Sequence, residues 1–290
     1  MKQLLILSGK GGTGKTTIAA AFIRFSQAKA YADCDVDAPN LHLITEHKHA
    51  PERKDYYGLP KAEIDKDKCV ECGLCRLSCR FEAISDINGY CVNPFACEGC
   101  AVCEAVCPAG AITLIPAVAG ELALYSGDDS IFSTACLKMG SGTSGKLVSE
   151  VKKQLFDAVR QDIELTVIDG SPGIGCPVIA SMSGVDMVLI VAEPSLSGMS
   201  DMERIIKTAE IFRTKTAVCI NKYDSNPEIS EKIEEYCKSK NIPFAGRIPF
   251  DHQAVKAVNR GVTIADIDCP SGRAAREVYE SVAGIMLRCC

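Results

Sequence analysis

The chain has 290 residues, of which 47% are hydrophobic and 24% charged, and it carries 17 cysteines and a formal net charge of −5. This length allows one large domain and a small one, and the acidic balance disfavours a nucleic-acid-binding protein, which usually has a clustered basic face. No run of about 18 apolar residues occurs, so no membrane span is predicted. The first residues lack the pattern of a signal peptide. We expect a cytoplasmic protein whose cysteines bind metal or are buried rather than form disulfides.

A phosphate-binding loop follows the first apolar segment. Leu4–Leu7 is predicted to be a buried strand, and the next residues match G-x-x-x-x-G-K-[ST]. In such a loop, backbone N–H groups surround phosphate oxygens, Lys15 reaches the β- and γ-phosphates, and the Thr16 hydroxyl holds Mg²⁺. The helical pattern of residues 17–27 places a helix N-terminus at the phosphates. The predicted ATP and magnesium contacts in this segment are Gly9, Lys10, Gly11, Gly12, Thr13, Gly14, Lys15, Thr16 and Thr17.

A lysine at the second position of this loop, Lys10, is typical of the deviant Walker A group. With it, the chain resembles the MinD/ParA/Mrp superfamily of P-loop ATPases, which includes the nitrogenase iron protein. The resemblance implies an α/β fold with a doubly wound, mostly parallel sheet, and a nucleotide-dependent homodimer or a heterodimer with a paralogue. It also implies ATP hydrolysis with Lys10 and Lys15 as catalytic residues, where Lys10 reaches the nucleotide of the partner subunit.

An acidic segment after the first helix looks like switch I of that superfamily. It spans residues 31–41, and the resemblance makes Asp35 the catalytic carboxylate that orients the attacking water. Asp33 and Asp37 are the alternatives for nearby roles.

Two later strands end in polar residues that the superfamily uses. Leu165–Asp169 resembles the Walker B strand, where Asp169 would bind Mg²⁺ through water, and the glycine-rich residues 170–175 look like switch II, which senses the γ-phosphate. The strand that ends at Asn221 would place this side chain at the adenine edge. However, Asp224 completes the N-K-x-D pattern of GTPases, so the choice between ATP and GTP stays open.

Eight cysteines form two identically spaced runs. Each run reads C-x-x-C-x-x-C-x-x-x-C, and the second begins 28 residues after the first. This spacing is typical of proteins with two 4Fe–4S clusters, in which the fourth cysteine of each run binds the other cluster. The first cluster would be held by Cys69, Cys72, Cys75 and Cys107, and the second by Cys97, Cys100, Cys103 and Cys79. Zinc is the alternative metal, but a four-ligand zinc site leaves the triple C-x-x-C-x-x-C spacing unexplained.

The two runs define an inserted domain. We expect a small α+β module like a bacterial ferredoxin over residues 61–115, inside a P-loop ATPase domain formed by residues 1–60 and 116–290. Pro108 follows the last cysteine, as in the ferredoxin signature. Arg80 stands at the corresponding place of the first run, and this departure indicates a tuned cluster or a contact surface.

Cysteines outside the two runs are expected to be buried thiols, with two speculative exceptions. Cys176 follows Asp169 by seven residues, the offset at which the nitrogenase iron protein has a cluster-bridging cysteine, and Cys136 lies where the second ligand of a subunit-bridging third cluster would be sought. The simpler interpretation of Cys176 is a thiol under switch II. The terminal pair Cys289–Cys290 is interpreted as a frayed tail or a mobile thiol site.

Together, these patterns predict a dimeric ATPase that couples ATP binding and hydrolysis to iron–sulfur work with a redox or cofactor-assembly partner protein. The output would be assembly or transfer of clusters, slightly favoured by the resemblance to Mrp-type carriers, or gated electron transfer, which suits two complete cysteine sets. The expected cofactors are two 4Fe–4S clusters, ATP or ADP, and Mg²⁺. Two alternatives stay open: a ferredoxin-type electron carrier in which nucleotide is structural or regulatory, and a positioning ATPase of the MinD/ParA type. The missing basic surface and membrane helix argue against the second alternative.

Overall fold

The computed structural model describes residues 1–127, 130–160 and 163–287, and the chain forms two compact units. The first unit comprises Met1–Arg53, Ala123–Ala135 and Gly145–Cys290. The second comprises Lys54–Leu122 and Cys136–Ser144. The chain therefore enters and leaves the second unit twice.

Thirteen strands occur in the described part of the chain. In sequence order they are β1 Lys2–Leu7, β2 Ala30–Asp33, β3 Glu52–Tyr57, β4 Lys61–Ile64, β5 Ile84–Ser85, β6 Cys91–Val92, β7 Ile112–Ile115, β8 Val118–Ser126, β9 Ile131–Leu137, β10 Leu165–Asp169, β11 Met187–Ala192, β12 Lys215–Asn221 and β13 Phe244–Ile248. The same residues form nine α-helices, which are α1 Lys15–Ser26, α2 Leu74–Ser78, α3 Val102–Ala105, α4 Ser144–Ala158, α5 Cys176–Met182, α6 Leu196–Ile211, α7 Pro227–Ser239, α8 His252–Val258 and α9 Pro270–Leu287. None of these helices combines the length and apolarity that a bilayer span requires.

Nine of the strands form one sheet in the order β13-β12-β11-β1-β10-β2-β9-β8-β3. The six pairs from β13 to β9 are parallel, which confirms the predicted mostly parallel sheet. On one side of β1 the strands follow in chain order through β11 and β12 to β13, whereas the other side begins with β10 and β2. In sheets of this kind, ligands bind in the crevice at the carboxyl ends of the strands, at the point where the order reverses.

The sequence explains why the centre of this sheet is buried on both faces. All six residues of β11 are buried apolar side chains, as expected for a parallel strand covered by helices on each side. On α1, the run Ile18–Ile23 is buried. Its Phe22 ring meets the ring of Tyr279 on α9 edge-on, with the ring centroids 5.2 Å apart. These contacts fix the helix that begins at the phosphate-binding loop.

The second unit is built twice from the same short pieces. Strand β4 pairs with β7 and β5 with β6, both antiparallel. The N–H of Asp65, before the first cysteine run, donates to the carbonyl of Ala111 after the second run at 2.8 Å. The N–H of Asn93, before the second run, donates to the carbonyl of Ala83 after the first run at 2.7 Å. The end of each repeat therefore lies beside the start of the other.

The second unit extends beyond the predicted insert of residues 61–115 at both ends. Tyr56 Oη donates to Thr143 Oγ1 at 3.1 Å, and the Gly58 N–H donates to the Ala117 carbonyl at 3.3 Å. The segment 136–144 joins the same unit, where the Lys138 N–H donates to the Ala119 carbonyl at 2.8 Å. Long-range hydrogen bonds of this kind do not affect the cysteine spacing, from which the domain boundaries were predicted.

Candidate functional site

The phosphate-binding loop joins β1 to α1 at the carboxyl edge of the sheet. Gly12 and Gly14 have φ angles of +79° and +90°, which residues with a side chain rarely adopt. A Cβ on Gly14 would also lie 2.3 Å from Asn221 Nδ2, so only glycine fits there. At Gly11 and Gly12, a Cβ would meet nothing within 4 Å. The loop therefore surrounds open space, as a phosphate cradle must.

Lys15 Nζ forms a buried ion pair with Asp169 Oδ1. The two side chains are 5% and 0% exposed. Burial disfavours the charged lysine, but the Asp169 carboxylate outweighs this effect, and the pKa of Lys15 lies above its ordinary value. Lys15 is therefore a cation held at the first turn of α1, where an anion in the loop would meet it.

The residues around Lys15 also fit a magnesium ion. Asp169 Oδ2 is buried and has no hydrogen-bond partner among the described residues. Mg²⁺ usually takes one or two protein oxygens and fills its other positions with water and substrate phosphate. Asp169 and the Thr16 hydroxyl at the start of α1 supply such a set, and they are the residues that would hold the ion.

Asp33 braces the predicted switch I segment. It is fully buried at the end of β2, and its carboxylate accepts the backbone N–H groups of Asp35, Asn40 and Leu41 at 2.9, 2.9 and 3.0 Å. Burial, followed by the Asp169 carboxylate, raises the pKa of Asp33 to about 7. With its oxygens occupied by the backbone, Asp33 has a structural task.

The two other candidate carboxylates of this segment differ in exposure. Asp35 is half-buried, and burial raises its pKa to about 6 although the nearby Lys15 cation opposes the shift. Asp37 is exposed. Asp35 is thus within electrostatic reach of the loop lysine and has a pKa close to neutral, which suits a group that orients water.

The predicted switch II turn is bonded to both other phosphate-side segments. Ser171 Oγ donates to the Cys34 carbonyl at 2.6 Å, and the Cys34 N–H donates to the Asp169 carbonyl at 2.7 Å. The Gly173 N–H donates to the Ser8 carbonyl, just before the loop, at 2.9 Å. A movement of this turn would therefore displace the phosphate-binding loop and the predicted switch I segment.

A cavity opens beside the loop. Asn221 lines it and donates from Nδ2 to the Thr13 carbonyl at 2.6 Å. Phe250 also lines it, and its N–H donates to Asp224 Oδ1 at 2.8 Å. The aspartate of the N-K-x-D pattern thus holds the Phe250 backbone beside the cavity.

Lys10 lies at the rim of the loop and has partners in its own chain. Its Nζ is 2.6 Å from Glu193 Oε2 and donates to Ser195 Oγ at 3.3 Å. The pair is partly exposed, so it contributes at most about 1 kcal/mol to stability. Lys10 is therefore held weakly.

Each predicted cysteine set lines its own cavity in the second unit. One small cavity is lined by Cys69, Cys72, Cys75 and Cys107. The other is lined by Cys79, Cys97, Cys100 and Cys103. The fourth cysteine of each run lies with the first three of the other run, because the end of each repeat lies beside the start of the other.

The same backbone conformation recurs around both cavities. The residues on either side of the second cysteine have positive φ in each run, namely Glu71 (+54°) and Gly73 (+79°), then Gly99 (+64°) and Ala101 (+67°). Positive φ is uncommon outside glycine, so its recurrence at equal offsets indicates a specific loop. Backbone N–H groups in turns of this kind form concave sites for anions and iron–sulfur groups.

The donor set of each cavity fits a 4Fe–4S cluster, which takes four cysteine thiolates. Two sulfurs already accept backbone bonds: Cys107 Sγ from Ala111 at 3.3 Å and Cys97 Sγ from Ala62 at 3.5 Å. Burial raises the pKa of the Cys75 thiol. Within the described ranges, no three His, Cys, Asp or Glu side chains are arranged to hold a metal ion. Metal binding at either cysteine set would require the thiols to lose their protons.

The speculative third-cluster residues fall in different units. Cys136 belongs to the second unit and Cys176 to the first, and both are exposed. Exposure of Cys176 does not match the simpler interpretation of a thiol covered by switch II. Cys289–Cys290 lie outside the described residues.

Residues 4–264 match the family model of the CobQ/CobB/MinD/ParA nucleotide binding domain. The chain belongs to this family. Protein MJ0578 of Methanocaldococcus jannaschii, which is uncharacterized, is 32% identical over 286 residues, which cover 97% of this chain and 96% of that protein. An iron–sulfur cluster carrier protein of Pyrococcus furiosus is 21% identical over 298 residues, covering 97% and 85%.

Solved structures of the CobQ/CobB/MinD/ParA type share the fold. The septum site-determining protein MinD from Pyrococcus horikoshii, complexed with Mg-ADP, superposes with a TM-score of 0.57 at 16% identity and covers 98% of each chain. A ParA family ATPase from Chlorobium tepidum gives 0.56 at 16% identity, covering 97% and 98%. At this identity the likeness concerns the fold alone.

Glu193 lies beside the predicted site, and the sequence patterns did not identify it. It follows directly after the buried strand β11, at the same carboxyl edge as Asp33, Asp169 and Asn221. Asp169 and Asn221 were recognised as polar groups at the ends of apolar strands, and Asp33 as part of the predicted switch I segment. The signal that identified Asp169 and Asn221 was also present for Glu193, but no motif drew attention to it.

Proposed function

We propose that this protein is an ATPase that holds two 4Fe–4S clusters in a ferredoxin-like second unit and uses nucleotide to control their work. The observation that carries the proposal is the interchanged arrangement of eight cysteines around two separate cavities. Four cysteines per cavity, with the fourth supplied by the other repeat, is the ligand pattern of two-cluster ferredoxins. A four-ligand zinc site would not require each repeat to supply its fourth cysteine to the other.

The nucleotide site supplies the groups that phosphoryl transfer requires. Lys15 would neutralise the β- and γ-phosphates, and Mg²⁺ would be held by Thr16 and Asp169. Asp35 would orient the attacking water. A phosphate in the loop competes with Asp169 for Lys15, because the two are now paired, and this exchange would free the Asp169 carboxylate for the ion.

A second subunit would complete the site through Lys10. Among the described residues, the partners of Lys10 are the partly exposed Glu193 and Ser195. A nucleotide triphosphate across a dimer interface carries more negative charge than the Glu193 carboxylate. Lys10 would therefore leave Glu193 for the phosphates when the dimer forms. We therefore propose a nucleotide-dependent homodimer, or a heterodimer with a paralogue.

Nucleotide state would reach the second unit through the chain itself. Gly145, the first residue after segment 136–144, packs against Cys176, which follows switch II: a Cβ there would lie 3.1 Å from the Cys176 carbonyl oxygen. A movement of switch II would thus act directly on the point where the chain returns from the second unit. This contact supports a coupling between the two functions.

The favoured output is gated electron delivery to a partner protein. Two complete cysteine sets leave no ligand position open for exchange, which suits resident one-electron groups. Cluster assembly or transfer is the second candidate, supported by the 21% identity with the iron–sulfur cluster carrier protein of Pyrococcus furiosus. In both cases the clusters would supply electron-transfer or cluster chemistry, and ATP would set when it happens.

Metal analysis combined with a transfer assay tests the proposal. Anaerobically purified chain should contain about eight iron and eight sulfide per polypeptide, the content of two 4Fe–4S clusters, and should hydrolyse ATP slowly. Under ATP turnover with an apo 4Fe–4S acceptor protein, constant iron content supports electron delivery, whereas iron moving to the acceptor supports assembly. Zinc in place of iron, or no metal, contradicts the proposal.

A further inference from the structure

The second cysteine repeat and the residues on either side of it carry only acidic charged side chains. From Phe81 to Leu137 the sequence has no lysine or arginine and seven acidic residues, although the whole chain has 32 Lys and Arg. The first repeat, in contrast, contains cations on both sides of its cysteines. Two repeats with the same cysteine spacing thus present different charges.

Two of these seven acidic residues, Glu98 and Glu104, lie at or beside the second cavity where it meets the surface. Phe81, Glu98 and Val102 all line that cavity. Phe81 is 45% exposed and Val102 is 43% exposed. Glu98 is exposed, as is Glu104 on the same short helix as Val102. We name these four residues, Phe81, Glu98, Val102 and Glu104, the acidic face. Cys100 is exposed within the lining of the same cavity.

The first repeat shows that the cavity itself does not require these residues. At the positions 28 residues earlier, Val70 stands for Glu98, Leu74 for Val102 and Arg76 for Glu104. The loop conformation around the cysteines is the same in both repeats. Arg76 is engaged with Asp86 at 2.6 Å. The acids at Glu98 and Glu104 are therefore not needed to build the loop.

We propose that the acidic face is the docking surface for a protein whose contact site has an apolar centre and a rim of lysines or arginines. The inference rests on the proposed function, since the face lies over the second cysteine set. Apolar side chains at the centre exclude water, while opposite rim charges steer the encounter and fix its orientation. A face of this size fits a brief encounter, like those of electron-transfer partners, rather than a permanent complex.

Cytochrome c, which carries lysines around its exposed haem edge, is a suitable probe. Carbodiimide cross-linking of the iron-loaded full chain to cytochrome c, followed by peptide mapping, should join its lysines to Glu98 and Glu104. The double variant Glu98→Gln/Glu104→Gln should weaken binding roughly tenfold at low ionic strength, and this difference should disappear at high salt. Glu63→Gln/Glu71→Gln, which removes the same charge from exposed positions of the same unit, should change binding less than about twofold, because rim charges act locally.

Two results would overturn the docking surface. One is cross-links that map mainly to Glu63, Glu71 or carboxylates of the first unit. The other is equal weakening by both double variants, which would mean that only net charge matters. Iron is counted on the same samples. Full iron content with cross-links elsewhere overturns the docking surface alone, whereas cross-links at Glu98 and Glu104 on a chain that binds no iron overturn the proposed function alone.

Discussion

The nucleotide site and the cysteine sites are stabilised in opposite ways. In the first unit, the functional side chains satisfy one another: Lys15 pairs with Asp169, and Asp33 accepts three backbone N–H groups. In the second unit, the buried core is small and consists of Ala62, Cys75, Ala83, Ile84, Cys97 and Ile112. Two of its members are the predicted metal ligands themselves. The polar groups of the first site are thus held by one another and by the backbone, whereas in the second unit two proposed metal ligands form part of the small core.

Removal of the metal should produce the largest effect and test this contrast. Helices of five and four residues, such as α2 and α3, are not stable by themselves, and metal binding supplies folding energy to small units. After chelation, amides in residues 61–115 should lose their protection from hydrogen exchange, while those of β10 and β11 keep it. The measurement is hydrogen exchange by mass spectrometry, with the untreated chain as control. Retained protection of residues 61–115 would contradict the account.

Loss of Lys15 should be the next largest effect. Lys15→Ala leaves Asp169 buried without its cation, which costs on the order of 3 kcal/mol of unfolding free energy, and it should abolish ATP hydrolysis. Lys10→Ala provides the matched control, because its pair with Glu193 is partly exposed. That variant should keep its stability within about 1 kcal/mol while losing hydrolysis. Urea denaturation and phosphate release measure both quantities, and equal destabilisation by the two variants would show that Lys15 is not the buried anchor.

Single cysteine variants sharpen the comparison inside the second unit. Because Cys107 lies with the first cysteine run, Cys107→Ser should raise hydrogen exchange in residues 69–75 and leave residues 97–103 protected. Cys79→Ser should do the reverse. Cys176→Ala, in the first unit, should leave the iron content unchanged, and a loss of iron there would indicate the third cluster. If each serine variant affected its own run instead, the interchange of ligands would be wrong.

Loss of the Asp224 side chain, which holds the Phe250 backbone beside the base cavity, should have a smaller effect. Asp224→Ala should weaken ATP binding by a few-fold, the effect of roughly one lost hydrogen bond, and should not alter the preference over GTP. Fluorescent ATP and GTP analogues measure this. A selective loss of GTP binding would instead identify Asp224 as a guanine contact.

The smallest expected effect is the contribution of a buried histidine of the first unit to the pH dependence of stability. His47 packs against Tyr125 and Phe132 and bonds to Thr45, and burial lowers the pKa of His47 to about 4. Since the unfolded chain binds this proton at a higher pH, the contribution of His47 to the unfolding free energy should fall as pH drops from about 6.5 to about 4. The raised pKa values of Asp33 and Asp35 act in the opposite direction over this range, so the effect of His47 is measured as a difference. The unfolding free energy of the native chain minus that of His47→Gln should fall between these pH values, measured by denaturant titration. A difference that does not change with pH would exclude this role of His47.

Much of the first unit could be predicted because its signals are local. The buried strand Leu165–Asp169 was predicted at its observed bounds, and the loop glycines have the conformations that their type indicates. The role of Asp33 as a brace could not be predicted, since its partners lie up to eight residues away in a segment without regular pattern. The pairing of Lys10 with Glu193 depends on two strands meeting at one edge of the sheet, which spacing alone does not reveal.

In the second unit, the two cysteine ligand sets stay a prediction from the spacing, and the spacing carries no information on how far the unit extends. Residues such as Tyr56 and Thr143 are distant in sequence and carry no metal-binding pattern. The acidic face was equally hidden, because exposure of Phe81 and Val102 follows from the fold. Two sequence signals did show that the repeats differ: Arg80 in place of proline, and the absence of lysine and arginine from Phe81 to Leu137.

We propose that nucleotide in the first unit controls iron–sulfur groups in the second. Electron paramagnetic resonance during anaerobic redox titration tests this control most directly, with the iron-loaded chain in the presence of Mg-ATP, Mg-ADP or no nucleotide. Spectra or midpoint potentials should differ between the ATP and ADP states, and Lys15→Ala should remove the difference. Identical spectra and potentials in all three states, together with normal ATP binding, would contradict it.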